Sequence, residues 1–307
     1  MPQEYELAVV GAGVAGLTAG LFGVRYGLRT VLLEESIPGG QIINAEHVEN
    51  FPGFPESISG ADLAARLQDQ AMRNGLEIRL AGAKALRLAG QRRVLDTEEG
   101  ELTSQAVIVA AGSSPRKLGI PGEEELYGHG VSHCATCDGP LFANQAVAVI
   151  GGGDTAVDEA LTLAQYASQV ILLHRRGSLR AQKALRERIL AEPKVQVLWH
   201  RKAVEVKGDT SVQELITKDM NTGSVGSIPV SGVFIYVGTE PTTAWLRGVL
   251  DMDNGGHILT DIWMQTSVPG VFAAGDIRAQ SARQLASAAG DGTTAAIAAF
   301  RHMAGIM

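Results

Sequence analysis

The sequence has very little cysteine. Its 307 residues include only two, Cys134 and Cys137, which are separated by two residues. A pair so close in sequence cannot link distant parts of a secreted fold, which argues against a disulfide framework and favours a reducing, cytoplasmic compartment. The same spacing is typical of a reversible disulfide or of part of a metal site.

The sequence also lacks an excess of positive charge. It has 26 lysines and arginines against 33 aspartates and glutamates, which gives a formal net charge of −7. A chain with this balance has no basic field that would attract nucleic acid or an anionic membrane. We therefore expect neither nucleic acid nor a membrane among its partners.

An uninterrupted hydrophobic span is missing as well, although residues 7–24 carry no charge. Glu4 and Glu6 precede this run at positions where a signal peptide would have lysine or arginine. Glycines interrupt it at positions 11, 13, 16, 20 and 23. A buried strand, a turn and a helix explain the run better than a signal peptide or a membrane span.

Residues 6–34 have the pattern of a dinucleotide-binding unit. A short apolar run is followed by G-x-G-x-x-G at residues 11–16, a helical pattern, and a second apolar strand that ends at Glu34. In such units the glycines let the backbone approach a pyrophosphate, and the acid accepts hydrogen bonds from ribose hydroxyls. We therefore predict a nucleotide site at Gly11, Gly13, Gly16 and Glu34.

The unit repeats 140 residues later without a gap. The three glycines of the first loop fall on Gly151, Gly153 and Ala156, and alanine at the third position still permits close helix packing. Asp154 and Thr155 lie between them. The chain is therefore predicted to bind two nucleotides.

The two units differ where their second strands end. The first has Glu34-Glu35 at this point, whereas the second has His174-Arg175-Arg176, with Arg180 close behind. An acid repels a 2′-phosphate, but arginine binds one through paired, charge-assisted hydrogen bonds. We predict that the second unit binds NADPH rather than NADH; a solvated cationic face is the alternative.

The overall pattern predicts an α/β fold with two Rossmann-like, three-layer domains, the second inserted into the first. Turn-rich segments at 112–115 and 238–241 mark the two crossings between domains. The first domain is predicted to occupy residues 1–112 and 243–307, and the second residues 113–242. Helical periodicity predicts helices at 60–74, 180–191 and 283–303.

The C-x-x-C segment favours redox chemistry over metal binding. His129 and His133 precede the two cysteines and would complete four ligands. The resulting H-x-x-x-H-C-x-x-C spacing matches no standard zinc pattern. We therefore predict a redox-active pair and no metal.

Taken together, the motifs resemble the low-molecular-weight, bacterial-type thioredoxin reductases, class II of the pyridine nucleotide-disulfide oxidoreductases. The resemblance lies in Cys134-Ala135-Thr136-Cys137-Asp138-Gly139, in the loop at 151–156, and in His174-Arg175-Arg176 with Arg180. It extends over nearly the whole chain, including Gly40-Gln41, Val48-Glu49-Asn50, Gly275-Asp276 and Arg283-Gln284.

This resemblance implies FAD in the first unit and NADPH in the second. Asp276 is expected on the ribityl chain and Gln284 at the isoalloxazine end. The other residues implied at FAD, besides the first loop and Glu34, are Gly40, Gln41, Asn50, Gly112, Gly275 and Arg283. The family also implies a homodimer and a hinge motion in which nicotinamide and disulfide alternate at the flavin.

The resemblance also implies roles at the redox pair. Cys137 is expected to face the flavin, and Cys134 to attack a disulfide of thioredoxin or a thioredoxin-like protein. Asp138 is the candidate acid/base that protonates a departing thiolate. Its alternative role is that of an acid at a helix N-terminus.

Three other functions remain open from the sequence. One is the flavoprotein of alkyl hydroperoxide reductase, whose partner is a peroxiredoxin; it carries an additional N-terminal region and prefers NADH, whereas we expect neither here. The second is a flavin-dependent dithiol oxidase, which the intact loop at 151–156 disfavours. The third is a ferredoxin partner or redox-sensing module without turnover.

Two segments depart from the family pattern. His129 stands where arginine is usual, which affects the expected docking of a partner, and residues 239–243 replace the usual hinge sequence.

Overall fold

The computed structural model describes residues 3–306. They form two compact units. Unit 1 contains the residues up to Ser114 and those from Glu240 onward, and unit 2 is the continuous segment Pro115–Thr239. The chain therefore leaves unit 1 once and returns to it once.

The first segment of unit 1 supplies most of a mixed sheet and two of its helices. Its elements are β1 (Gln3–Val10), α1 (Val14–Arg25), β2 (Thr30–Glu34), α2 (Gly60–Arg73), β3 (Glu77–Leu80), β4 (Ala83–Ala89), β5 (Arg92–Thr97), β6 (Gly100–Val109) and β7 (Ser113–Pro115). The strand order is β3-β2-β1-β6-β5-β4. The pairs among β3, β2, β1 and β6 are parallel, and β4 and β5 extend the sheet in antiparallel fashion.

Unit 2 contains a second parallel sheet and a small antiparallel one. Its elements are β8 (Val131–Ser132), α3 (Ala135–Asp138), β9 (Ala146–Gly151), α4 (Asp154–Tyr166), β10 (Gln169–His174), α5 (Lys183–Ala191), β11 (Val195–Trp199), β12 (Arg201–Lys207), β13 (Glu214–Asp219), β14 (Val225–Pro229) and β15 (Gly232–Tyr236). The parallel sheet has the order β11-β10-β9-β15-β8, and β12, β13 and β14 form the antiparallel sheet.

The last segment of the chain completes unit 1. Its elements are β16 (Thr239–Pro241), β17 (Val271–Ala273) and α6 (Leu285–Met303). Strand β17 adds in parallel to β6. Helix α6 packs closely on α1, since a Cβ atom on Gly292 would lie 2.2 Å from the carbonyl oxygen of Ala15.

The central strands are buried on both faces, as expected where helices cover a parallel sheet. Residues Leu7, Ala8 and Val9 of β1 are fully buried, and so are Val147, Ala148 and Val149 of β9. This explains why both segments read as continuous apolar runs rather than as alternating ones. The carboxyl ends of β1 and β9 lead directly into the two glycine loops.

The predicted helices at 60–74, 180–191 and 283–303 correspond to α2, α5 and α6. Helix α2 ends one residue earlier than predicted, at Arg73, and α6 begins two residues later, at Leu285. Helix α5 begins at Lys183, three residues later than predicted. The N–H of Arg180 donates to the Gly152 carbonyl at 2.7 Å, and the N–H of Gln182 donates to Asp154 Oδ1 at 2.7 Å. These contacts hold residues 180–182 against the second glycine loop in a non-helical conformation.

Within residues 3–306, no helix combines the length and the apolar character needed to cross a bilayer.

Candidate active site

The first glycine loop connects β1 to α1 and requires its glycines. Gly11 has φ of +101°, and a Cβ atom there would lie 2.5 Å from the Ala110 carbonyl oxygen. A Cβ atom on Gly16 would lie 1.8 Å from the Gly11 carbonyl oxygen. At Gly13, by contrast, a Cβ atom would meet nothing within 4 Å, and no side chain caps α1 there. An uncapped helix N-terminus beside open space fits a pyrophosphate.

Glu34 lies beside this loop at the end of β2. Its Oε2 accepts a hydrogen bond from the Ala12 N–H at 2.7 Å, and its Oε1 accepts one from the Ser36 N–H at 3.1 Å. The carboxylate therefore braces the backbone of the loop, a contact that the sequence pattern did not predict. A carboxylate oxygen has further lone pairs, so the expected ribose contact remains compatible with this position.

The structure brings together two of the residues implied at the flavin, Asn50 and Gln284, which are 234 positions apart. Asn50 Nδ2 donates to Gln284 Oε1 at 3.3 Å. Gln284 is the N-cap of α6 and forms a capping box with Ser287. This places both amides at the N-terminus of a long helix.

Three further residues of this set lie in unit 1. Gly40 and Gly112 both have positive φ, +62° and +63°. Gln41 Nε2 donates to the carbonyl oxygen of Ser113, the residue that follows Gly112. The hydrogen bond links the segment after β2 to the start of the first crossing.

The side chain of Arg283 contacts a different segment from that of its neighbour Gln284. It has φ of +54°, and its Nη2 lies 3.1 Å from His257 Nε2. His257 Nδ1 in turn lies 3.3 Å from Asp253 Oδ1. The guanidinium therefore contacts the His257 and Asp253 segment rather than the Asn50 and Gln284 amides.

Asp276 follows Gly275 in a 3₁₀ turn after β17. Burial raises the pKa of its carboxyl, and a hydrogen bond from Ser281 Oγ at 3.4 Å opposes that rise. The turn is anchored by Asp291 of α6, which accepts from the Gly275 N–H at 3.1 Å. Arg278 donates to the same carboxylate from Nε at 2.6 Å.

Sequence reasoning missed Arg278 and Asp291, although one signal was present. Asp291 is the only acidic residue in α6, a helix composed mainly of alanine, glycine and small polar residues. Such an acid in the buried face of a helix requires a partner.

The second glycine loop connects β9 to α4 and has the same construction. Gly153 is the N-cap of α4 without a side-chain cap, and a Cβ atom there would meet nothing within 4 Å. A Cβ atom on Gly151 would lie 2.4 Å from the Ala156 side chain. The Asp154 carboxylate is hydrogen-bonded to Gln182, and Thr155 is exposed. The open, uncapped start of α4 fits a second pyrophosphate.

The basic cluster after β10 divides into two parts. Arg175, Arg176 and Arg180 are exposed, and within residues 3–306 none of them has an acidic side chain at ion-pair distance. Free guanidinium groups beside the second glycine loop suit a phosphate.

His174 does not belong with the three arginines, contrary to the grouping made from the sequence. Only 5% of its surface is exposed, and its Nδ1 lies 2.6 Å from the Gly151 carbonyl oxygen. Its ring packs edge-on against Trp199. His174 is the last residue of β10, and its side chain points into the core. There its ring contacts the backbone of the second glycine loop and supports it.

The redox pair lies at the N-terminus of the short helix α3. Cys134 is its N-cap and forms a disulfide with Cys137, with a Cα to Cα distance of 5.4 Å. The Cys137 N–H donates to Cys134 Sγ at 3.1 Å. Cys137 is exposed and Cys134 half-buried. A helix N-terminus favours the thiolate of a cysteine placed there, which suits an attacking sulfur.

Residues on three other elements hold this short helix. Ser132 Oγ accepts from the Cys134 N–H at 3.0 Å, and Glu159 Oε2 accepts from the Ala135 N–H at 2.8 Å. His133 Nδ1 lies 2.9 Å from the Ile235 carbonyl oxygen. The sequence did not indicate Ser132 or Glu159. Glu159 was detectable as a carboxylate on the buried face of α4.

Asp138 is the last residue of α3 and follows Cys137 directly. Its N–H donates to the Cys134 carbonyl oxygen at 3.1 Å, and its side chain is half-buried. The helix and its N-cap, residues 134–138, thus contain both sulfurs and a carboxylate.

Comparisons with known proteins agree with these features over nearly the whole chain. The sequence profile of the pyridine nucleotide-disulphide oxidoreductase family matches residues 5–292. The thioredoxin reductase of Treponema pallidum is 42% identical over 303 residues, which are 99% of this chain and 98% of that protein. The thioredoxin reductase of Listeria innocua is 43% identical over 292 residues, 94% of this chain and 90% of that protein.

A solved structure shows the same fold. The crystal structure of Lactococcus lactis thioredoxin reductase superposes with a TM-score of 0.96 at 39% identity, covering 98% of this chain and 99% of that one. The predicted α/β fold with Rossmann-like sheets is thereby confirmed, and so is the resemblance seen in the sequence. The chain belongs to the pyridine nucleotide-disulphide oxidoreductases, a family of enzymes, and within that family to the thioredoxin reductases.

Proposed function

We propose that this enzyme uses NADPH and FAD to reduce the disulfide of thioredoxin or of a thioredoxin-like protein. The observation that carries the proposal is the Cys134–Cys137 disulfide at the start of α3. It lies in the same unit as a phosphate loop followed by exposed arginines. The relatives named thioredoxin reductase favour this acceptor over the peroxiredoxin and dithiol alternatives.

Unit 1 is the proposed FAD domain. The open space at Gly13 and the uncapped start of α1 support a pyrophosphate site there, with Glu34 near the ribose. Asn50, Asp276 and Gln284 would contact the ribityl chain and the ring. The remaining residues proposed to line this site are Gly11, Gly16, Gly40, Gln41, Gly112, Gly275 and Arg283.

Unit 2 is the proposed NADPH domain. Its pyrophosphate site is the start of α4, formed by Gly151, Gly153, Thr155 and Ala156, where Asp154 fixes the adjoining turn. Arg175, Arg176 and Arg180 would bind the 2′-phosphate, since their guanidinium groups are exposed and unpaired within the described residues. His174 contributes by supporting the loop.

When bound, NADPH and FAD supply hydride transfer, which delivers two electrons to the disulfide of the enzyme. Reduction breaks the Cys134–Cys137 bond and leaves two sulfurs, one of them a thiolate. The Cys134 thiolate attacks a sulfur of the partner disulfide, which breaks that bond and forms a mixed disulfide. The proton of the Cys137 thiol passes to the sulfur that left the partner disulfide. The resulting Cys137 thiolate attacks Cys134 Sγ, which restores the enzyme disulfide, and the second partner sulfur takes a proton from solvent as the dithiol is released.

Asp138 is the proposed proton carrier for these exchanges. The sulfur that leaves the partner disulfide needs a proton, and Asp138 lies on the same helical turn as both cysteines. A homodimer in a reducing, cytoplasmic compartment completes the proposal. The presence of only two cysteines supports the reducing compartment.

The decisive test is NADPH oxidation by the FAD-loaded enzyme in the presence of oxidised thioredoxin. We expect turnover with NADPH, weak turnover with NADH, and free thiols on thioredoxin at one pair per NADPH consumed. Flavin reduction without any thioredoxin thiols would instead support a redox-sensing module. Reduction of a peroxiredoxin but not of thioredoxin would reassign the acceptor.

A further inference from the structure

A buried carboxylate, Glu159, lies directly beneath the redox helix. It is 7% exposed, on the inward face of α4. Its Oε2 accepts hydrogen bonds from the Ala135 N–H at 2.8 Å and from the Tyr236 hydroxyl at 3.0 Å. Ala135 immediately follows Cys134, so the carboxylate contacts the backbone between the two cysteines.

Tyr236 brings a second element to this contact. It is the last residue of β15, where it pairs with Gly151 of the second glycine loop. Burial raises the pKa of its hydroxyl, and the neighbouring Glu159 raises it further. The hydroxyl therefore remains protonated and acts as a donor to the carboxylate.

An ionised Glu159 carboxylate opposes thiolate formation at the redox pair. Hydrogen bonds donated to a carboxylate oxygen favour its ionised form, and a negative charge disfavours a second one nearby. Glu159 also takes the Ala135 N–H, one of the donors in the first turn of α3 that would otherwise favour a thiolate at the N-cap. The donated Tyr236 proton offsets part of this negative charge.

We propose that Glu159 and Tyr236 are positioning residues that set the equilibrium between the disulfide and dithiol forms of Cys134 and Cys137, in opposite directions. Glu159 favours the disulfide, and Tyr236 moderates that preference through its hydrogen bond. This inference rests on the proposed redox role of the cysteine pair. The equilibrium between disulfide and dithiol determines how readily the cysteine pair gives electrons to an acceptor.

The test is equilibration of the FAD-loaded protein with mixtures of reduced and oxidised dithiothreitol. In this exchange the enzyme disulfide is reduced to two thiols while dithiothreitol is oxidised to its cyclic disulfide. Protein thiols are then blocked with N-ethylmaleimide and counted by mass spectrometry. At about pH 8.5, near the ordinary pKa of a thiol, the thiolate contributes to the equilibrium. No NADPH and no partner protein are needed.

Two variants with opposite expected effects separate electrostatics from structure. Glu159→Gln keeps an acceptor for the Ala135 N–H but removes the charge, so the equilibrium constant should shift about tenfold toward the dithiol, or about 30 mV for a two-electron couple. Tyr236→Phe removes the proton donor and keeps the ring, so the constant should shift about threefold toward the disulfide. Glu187→Gln, at an exposed position on α5, is the matched control and should stay within about twofold of the wild type.

A merely structural contact would move both variants in the same direction, or neither, and either result would overturn the inference. If Glu159→Gln does not fold, as judged by its circular dichroism, Tyr236→Phe decides the question alone. A shift in the predicted directions together with absent NADPH-dependent turnover would refute the proposed function and leave this inference standing. Normal turnover with unshifted equilibria would refute this inference and leave the proposed function standing.

Discussion

The guanidinium of Arg278 and the carboxylate of Asp291 form a paired, buried contact in unit 1. Arg278 Nε donates to Oδ2 at 2.6 Å and Nη2 donates to Oδ1 at 2.9 Å, with side-chain exposures of 16% and 8%. The same carboxylate accepts from the Gly275 N–H. One acid on α6 thus fixes the turn that presents Asp276.

Removing the charge of Asp291 should destabilise unit 1 strongly. In Asp291→Asn the guanidinium of Arg278 stays buried without its counter-charge, and breaking a buried pair from one side costs about 3 to 5 kcal/mol. Urea denaturation should show a matching decrease in the free energy of unfolding. Asp69→Asn, which breaks the exposed pair with Arg73, serves as control and should change it by about 0.5 kcal/mol or less. Equal effects at the two sites would contradict the structure.

The exposed arginines should distinguish the two nicotinamide cofactors. Replacing Arg175 and Arg176 together by alanine removes charge-assisted bonds to a 2′-phosphate, each worth about 1.5 to 3 kcal/mol. The KM for NADPH should therefore rise by more than about tenfold, and that for NADH should change little. Arg186→Ala, at an exposed position on α5, is the matched control. Parallel increases for both cofactors would show that the two arginines do not read the phosphate.

The two cysteines should separate into different steps. Cys134→Ser should abolish reduction of thioredoxin while leaving NADPH-dependent bleaching of the flavin, because hydride transfer does not require the disulfide. Cys137→Ser should retain the attacking sulfur and accumulate a mixed disulfide with the partner, visible as a shifted band on a non-reducing gel. Cys137 is the more exposed of the two in this structure. If instead the Cys134→Ser variant accumulated the mixed disulfide with the partner, Cys137 would be the attacking cysteine.

His302 should make stability depend on pH below neutrality. Burial lowers the pKa of its ring in the folded state, and the positive charge of Arg93 lowers it further. The unfolded chain, with an ordinary histidine pKa of about 6.5, then binds the proton first. Stability is therefore complete above about pH 6.5 and falls as the pH decreases toward the folded-state pKa.

His302→Gln removes that contribution. Its free energy of unfolding, measured in urea between about pH 7.5 and pH 5.5, should fall less steeply than that of the wild type. Identical slopes would show that His302 is not responsible.

The sequence alone identified the two glycine loops and the redox pair, because each of these is local. A G-x-G-x-x-G segment between an apolar strand and a helix carries its own conformational requirement, as Gly11 and Gly16 show. Two cysteines in one chain leave no other pairing. Strands such as β8 and β14 escaped prediction because they are short or exposed and follow no clear alternation.

Contacts between residues distant in sequence could not be predicted from the sequence alone. Asn50 and Gln284 meet only because the chain returns to unit 1, and Glu159 meets Ala135 only because α4 packs under α3. His174 was grouped with Arg175 and Arg176 because neighbours in sequence share a chemistry. However, β10 is buried on both faces from Val170 to His174, whereas Arg175 and Arg176 follow its end and are exposed.

The division of unit 1 into two segments has a consequence for its synthesis. Residues up to Ser114 leave the ribosome without β17, which pairs with β6, and without α6, which covers α1. The alanines of α6 that fill the core beside α1 are at positions 295, 296, 298 and 299, far along the chain from the first segment of unit 1. Unit 2, which is continuous, can complete its fold first, while the nascent unit 1 keeps part of its sheet uncovered. Chaperone binding to ribosome-bound chains should therefore persist until β17 and α6 have emerged, at roughly 5 to 20 residues per second.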